Sequence, residues 1–435
     1  MRTQTLENPA ALVSHVTIRL RKSALPANIG WTLSGNLIYS ASQWAMLVIL
    51  ARWTNAGTVG TFALALAITA PITIFFNMQL RAVIATDHAG AHTFIDYLRT
   101  RLLTSAAALT VTAICAASVR PKASTVCVIL LVALSKAAES VTDIIHGHWQ
   151  LLERMEAVGK SLVIRGILTL AMFASAVIIA QDLLVAVVTL LAGSVGVLLF
   201  YDCRRIRSSG VVRTILHSLK HASTPGSARS LVRRTFPLGV AATLISLNTA
   251  IPRYFIEAHR GSRELGIFAA LSYFVVAGNM VISAIGQCVL PRLARLYTRI
   301  HWMEFRRTVA TLIWAGMGLG VFTMLVSLTF SRQLLSIYGP DYVSASKIFL
   351  LLMAVGSLGY VLSIFNFTLN AIGSYTIQSL LFAAVSVLLV ICCQIAVPRH
   401  GALGAAASLL IAGCFQAAAS AVILLHDTRT VRRGQ

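Results

Sequence analysis

Charge is scarce in this sequence, and negative charge scarcest: 14 Asp and Glu stand against 36 Lys and Arg in 435 residues. Charged residues make up 11% of the chain, where soluble globular proteins carry roughly 25%. With 57% hydrophobic residues and a mean hydropathy of +0.79, the chain has too little polar surface to face water on all sides. A soluble protein is excluded and an all-α polytopic membrane protein is expected. Long polar loops are missing as well, which leaves no room for a soluble catalytic domain. Cysteine is sparse and unpatterned: Cys115, Cys127, Cys203, Cys288, Cys392, Cys393 and Cys414 lie in or beside apolar segments without metal-ligand spacing. They read as free core thiols. Apart from His146 and His148 the histidines are scattered, with neither metal-ligand nor triad spacing, so no metal, cofactor or catalytic residue is implied. Residues 1–27 contain Pro9 and Pro26 and are too polar for a signal peptide.

What is present is a series of apolar runs. Candidate spans are 28–51, 59–80, 102–119, 125–145, 162–180, 183–201, 236–256, 266–290, 309–330, 348–369, 379–397 and 402–425. Each is long enough for a membrane helix, and twelve fit. A basic connector divides them into six and six. It holds Arg204, Arg205, Arg207, Arg213, Lys220, Arg229, Arg233 and Arg234, and no acid falls between Asp202 and Glu257. So basic a stretch belongs at the anionic cytoplasmic surface of a membrane. The expected organisation is a cytoplasmic segment 1–27, an N-lobe 28–202, a connector 203–234, a C-lobe 235–425 and a cytoplasmic tail 426–435.

With the N-terminus inside, 26 of the 36 Lys and Arg fall on the inner face and nine on the outer, while Lys136 lies within a span. This bias supports two cytoplasmic termini. The formal charge of +22 is therefore topology rather than a nucleic-acid surface. An internal repeat reinforces the division. Thr58-Val59-Gly60-Thr61-Phe62-Ala63 matches Glu264-Leu265-Gly266-Ile267-Phe268-Ala269, each opening the second helix of its half. Two parallel lobes related about the membrane normal imply a central cavity that can open to either side.

Some polar residues sit where a membrane tolerates few. Lys136, Glu139, Ser140 and Asp143 fall at i, i+3, i+4 and i+7 on the fourth helix, sharing one face. An isolated charge at mid-bilayer costs roughly 2.5–3.5 kcal/mol on insertion scales, so the face must meet protein or water. Three readings stand: a self-neutralising Lys136–Glu139 pair inside the bundle, a stripe lining the cavity, or a helix that ends early and leaves Asp143 at the surface. In the seventh helix Asn248 precedes Pro252-Arg253-Tyr254, where proline bends the helix and frees a carbonyl. Arg253 either snorkels outward or presents a fixed cation to an anion, for which its planar fork is suited. Arg81 and Asp87 close the second helix as an ordinary cap or as part of an inner gate. Asn36 and Gln43 share a face of the first helix, and Asn366 and Asn370 one of the tenth. Such residues line a cavity or serve as interhelical glue.

Several stretches resemble the oligosaccharide flippase family (Wzx-like polysaccharide transporters) of the multidrug/oligosaccharidyl-lipid/polysaccharide exporter superfamily. They are Gly35-Asn36 through Gln43-Trp44, Leu80-Arg81-Ala82-Val83 with Ala85-Thr86-Asp87, and Lys136-Ala137-Ala138-Glu139-Ser140 with Asp143. In the second half they are Ile251-Pro252-Arg253-Tyr254, Leu265-Gly266-Ile267-Phe268-Ala269-Ala270, Pro291-Arg292-Leu293-Ala294 and Tyr338-Gly339-Pro340-Asp341-Tyr342. The resemblance covers nearly the full length. It implies two lobes around a central cavity in the bacterial inner membrane and alternating access. The implied substrate is a polyprenyl-pyrophosphate-linked oligosaccharide for O-antigen, capsule or exopolysaccharide, lipopolysaccharide biosynthesis included. Partners would be the bilayer, a polysaccharide polymerase and glycosyltransferases, with no nucleic acid. Many relatives carry an Asp before the basic residue of the seventh helix; Pro252 stands there, leaving Arg253 a lone cation. Two rivals remain. A cation-coupled multidrug extruder needs an intramembrane carboxylate, and the first helix has none, leaving Glu139 and Asp143. A membrane polymerase or ligase would need a sizeable outer loop with acid/base residues.

Overall fold

A computed structural model describes residues 25–87, 92–118, 122–208, 227–299 and 301–433, and among them the regular structure is helical, without a strand. That is the arrangement hydrocarbon demands, since no water is present there to satisfy an open backbone. The N-lobe comprises α1 (Leu25–Trp53), α2 (Ala56–Asn77), α3 (Leu80–Thr86), α4 (Phe94–Ser118), α5 (Ala123–Leu151), α6 (Met155–Ala180) and α7 (Leu183–Gly196). A π-helical turn, Val197–Cys203, then leads into α8 (Arg204–Ser208). The C-lobe comprises α9 (Ser227–Arg260), α10 (Ser262–Thr298), α11 (Trp302–Ser336), α12 (Pro340–Val343), α13 (Ser346–Ile372) and α14 (Tyr375–Arg433).

Ten helical stretches of the described residues are long and apolar enough to cross a membrane, one of them Thr376–Leu425 within α14. Gly401 (φ +56°) breaks α14 into two spans. With this division and α10, which has 37 residues, the twelve expected helices are all present. Several begin earlier than the apolar runs suggest: α4 at Phe94, α6 at Met155 and α9 at Ser227. Arg101, just before one of those runs, and Arg165, within another, are buried and paired rather than solvated. Arg204 and Arg207, and Arg229, Arg233 and Arg234 at the start of α9, are exposed, while 209–226 of the connector lie outside the described residues.

The lobes meet where α2 packs against α9 and α10. A Cβ on Gly60 would lie 1.7 Å from the Ser262 carbonyl oxygen, and one on Gly266 would lie 1.9 Å from that of Ala56. Ala56 and Ser262 each precede their glycine by four residues, so the two copies of the sequence repeat touch each other in the same register. Only glycine permits backbones this close. Nearby, Arg260 donates to the carbonyls of Pro398 (2.8 Å) and Arg399 (3.0 Å), while Glu264 accepts from the Ala402 N–H at 2.6 Å. A cation at a helix C-terminus and a carboxylate at an N-terminus both oppose the local dipole. The α9–α10 hairpin thereby holds the break in α14.

At the opposite end the contact is one-sided. α9 follows α2 through an edge-on Phe75–Phe236 pair (5.7 Å), Thr235 Oγ1 donating to Met78 Sδ (3.6 Å), and Leu231 packed with Met78 and Leu80. Its counterpart α1 packs along α6 instead, with Gly35 against the Gly159 backbone. It reaches the C-lobe through Trp44 Nε1, which donates to Tyr338 OH at 2.9 Å. Trp31, Leu33 and Leu37, further towards its start, are exposed.

Candidate functional site

Helix α5 carries the polar stripe, and the structure splits it in two. Lys136 Nζ lies 2.8 Å from Glu139 Oε2, one turn away on the same helix. Both side chains are partly open, 26% and 20% exposed. Ser140 is buried and donates back to the Lys136 carbonyl at 2.8 Å. Asp143 belongs to a different group: it accepts from Arg81 Nη1 at 3.2 Å and pairs with Arg101 Nη2 at 3.6 Å. Arg101 is wholly buried and also donates to Asn77 Oδ1. This second cluster ties α3, α4 and α5 together. It is made possible where Met78 and Gln79 take left-handed backbone (φ +48° and +52°), ending α2 and turning α3 towards α5.

The two inner-gate candidates do not pair with each other. Arg81 is held by Asp143 and by Gln150 Oε1 at 3.4 Å. Asp87 accepts from Tyr97 OH at 3.0 Å and from the His92 N–H at 3.2 Å. A third cluster went unforeseen. Arg165 of α6 pairs with Asp202 of the π-helical turn at 3.4 Å and donates to Thr142 of α5 at 2.5 Å, while Ser161 donates to Asp202 at 2.7 Å. The Arg165 and Asp202 side chains are 4% and 2% exposed, sealed inside the N-lobe. The legible signal was that Arg165 falls inside its own apolar run rather than in a loop.

In the C-lobe, Arg253 follows Pro252 on α9. Its Nε is buried without a hydrogen-bond partner, and no carboxylate of the described residues pairs with it. The next residue, Tyr254, donates across the lobe boundary to the Ala67 carbonyl at 2.5 Å. Tyr273 of α10 lies within electrostatic range of both Arg253 and Lys136. The two cations, one from each lobe, thus share Tyr273 as an electrostatic neighbour. Tyr39 of α1 faces Glu139, with Lys136 and Arg165 also in range. Nothing in the sequence marks Tyr39 or Tyr273, since tyrosine in an apolar helix is commonplace.

The remaining candidates stand apart from this group. Asn248 accepts from Ser386 Oγ at 2.6 Å, an α9–α14 bond within the C-lobe. Asn36 is exposed and donates to the Thr32 carbonyl of its own helix at 2.8 Å. Gln43 is half-buried on α1. Among the described residues no group of three or more His, Cys, Asp and Glu could hold a metal ion.

What the arrangement offers is positive charge at low dielectric. Lys136 and Arg253 against Glu139 leave one net positive charge, screened less there than at a surface.

The chain is similar to known proteins in both sequence and fold. The chain is 27% identical over 390 residues to the capsular polysaccharide biosynthesis protein CapF of Staphylococcus aureus, covering 88% of this chain and 95% of that one. Its fold is similar to the inward-facing conformation of a multidrug resistance MATE family transporter (TM-score 0.71, 11% identity, 91% of this chain and 95% of that). It is also similar to the lipid II flippase MurJ in an inward closed conformation (TM-score 0.69, 11% identity, 90% and 86%). The family described as polysaccharide biosynthesis protein matches residues 25–297. This multi-pass membrane protein belongs to the polysaccharide biosynthesis protein family of Wzx-like transporters.

Proposed function

We propose that this chain moves a polyprenyl-diphosphate-linked oligosaccharide from the inner to the outer leaflet of the bacterial cytoplasmic membrane by alternating access. The observation that carries the reading is that Lys136 and Arg253, from opposite lobes, both lie within electrostatic range of Tyr273. The substrate has an apolar tail that stays in lipid, a dianionic diphosphate and a bulky polar glycan. Two cations facing one gap suit the diphosphate, and Arg253, without a carboxylate partner among the described residues, is free to bind it bidentately.

The route into the gap is supported by the asymmetry of the lobe contacts. α2 closes on α10 glycine to glycine at one end, while α1 leaves α10 at the other, where Trp31, Leu33 and Leu37 are exposed. The exposed arginines flanking the connector support placing that open end, and both termini, at the cytoplasmic surface. The same arginines suit docking of glycosyltransferases or a polymerase. The relative named for capsular polysaccharide favours a capsule precursor over O-antigen or exopolysaccharide. A multidrug extruder needs a carboxylate free for a cation, whereas Glu139 and Asp143 are both held by basic side chains. An enzymatic role finds no support in the family or the fold.

The test is export in cells lacking the chromosomal gene. Surface glycan restored by the wild-type chain and absent with Arg253→Ala, at equal membrane levels, is the expected result. Unchanged glycan display with Arg253→Ala would remove the assignment.

A further inference from the structure

We propose that Glu139 is a resident counter-ion which the diphosphate displaces from Lys136, and that one proton is taken up by Glu139 as this happens. The inference rests on the reading above, in which the diphosphate sits between Lys136 and Arg253.

The N-lobe contains two kinds of acid–base pair. Arg165–Asp202 is sealed, at 4% and 2% exposure, with Thr142 and Ser161 completing its hydrogen bonds. Lys136–Glu139 is open, at 26% and 20%, and Tyr273 of the other lobe lies within electrostatic range of Lys136. A sealed pair cannot change partners, because breaking it strands a buried charge. An open pair can.

The groups that face Glu139 are Lys136 on its own helix, Tyr39 from α1 and Arg165 from α6. Arg165 is held by Asp202, so Lys136 is the cation that keeps Glu139 ionised. When Lys136 turns to the diphosphate, Glu139 loses that partner and gains a dianion as neighbour. Like charges a few ångströms apart at low dielectric do not both stay ionised; one group takes a proton. A phosphate diester is too strong an acid to accept it, so the carboxylate does. Lys136, Arg253 and the diester then sum to zero with Glu139 neutral, whereas an ionised Glu139 would leave the filled site negative. The proton comes from water in the gap and forms an O–H on Glu139. No bond of the diphosphate breaks, and the proton returns to solvent when the diphosphate leaves and Lys136 recovers its partner.

The experiment uses the full-length purified chain and a synthetic diester, farnesyl diphosphoglucose, which has no group titrating near neutrality. Binding heats in two buffers of different ionisation enthalpy give the protons taken up per diester bound. The expected result for the wild-type chain is close to one proton, with affinity weakening by about tenfold per pH unit on the alkaline side. Glu139→Gln should bind the diester more tightly, take up no proton and show a flat pH profile. Wild-type binding without proton uptake overturns the proposal, as does a Glu139→Gln chain that keeps the wild-type uptake. The wild-type measurement decides alone if that variant is not monodisperse. Absence of any diester binding by the wild-type chain overturns the proposed function itself, and this inference with it.

Discussion

The two lobes repeat one helix plan but treat their cations differently. In the N-lobe Lys136, Arg81, Arg101, Lys160 and Arg165 each have a carboxylate partner. In the C-lobe Arg253 has none among the described residues, and Arg260 is spent on two backbone carbonyls. Pairing makes a buried cation structural: its removal strands an acid and loosens the bundle. Leaving one unpaired is costly for a membrane protein unless something else supplies the negative charge. The contrast separates cations that hold the N-lobe together from Arg253, to which the proposed function assigns an anion. Lys136 is intermediate, paired but partly exposed.

Removing a sealed partner should produce the largest effect on folding. Asp202→Ala strands Arg165 and is expected to cost about 3–5 kcal/mol, read as loss of monodisperse protein or a large fall in unfolding temperature in detergent. Arg253→Ala should leave the unfolding temperature unchanged, and a similar fall in both would erase the distinction. Next comes the point where the lobes touch. Gly266→Ala places a methyl against the Ala56 carbonyl, and relief requires the helices to part. Overpacking of this kind costs about 1–3 kcal/mol. It should raise the reactivity of a cysteine introduced at Ala56 towards a water-soluble thiol reagent, and unaltered labelling would show that this contact does not close the gap. Glu264→Ala, which uncaps the second half of α14, should cost about 1 kcal/mol and leave the reactivity at Ala56 unchanged. Smallest is Trp44→Phe, which deletes one neutral hydrogen bond to Tyr338, worth about 0.5–1.5 kcal/mol in thermal unfolding.

The helix plan was legible because apolar run length is nearly sufficient in a membrane, where a backbone has few alternatives. Even the break between the last two spans was visible, with Pro398 and Gly401 between apolar runs. The repeat pointed to glycines 60 and 266, although nothing in a single sequence says that the two copies press on each other. The polar stripe of α5 was placed on one face by its spacing, yet spacing cannot tell that Asp143 turns to Arg81 and Arg101 while Glu139 turns to Lys136. Charge counting assigned Arg101 and Arg165 to the inner surface, because a count by position carries no information about a partner on a distant helix. Asp202 lies 37 residues from Arg165 along the chain. Tyr273 stayed invisible for the opposite reason: its type is ordinary in such a helix, and only packing brings it near both cations.

The account rests on Arg253 as the cation left free for a diphosphate, and translocation in purified vesicles tests that most directly. Labelled polyprenyl-diphosphate-linked oligosaccharide should move across vesicles containing the wild-type chain without being chemically altered. With Arg253→Ala the rate should fall by thirtyfold or more, the equivalent of losing about 2–5 kcal/mol of charge pairing, while Arg253→Lys should retain part of it. Arg253→Ala vesicles that move the substrate at the wild-type rate would contradict the account.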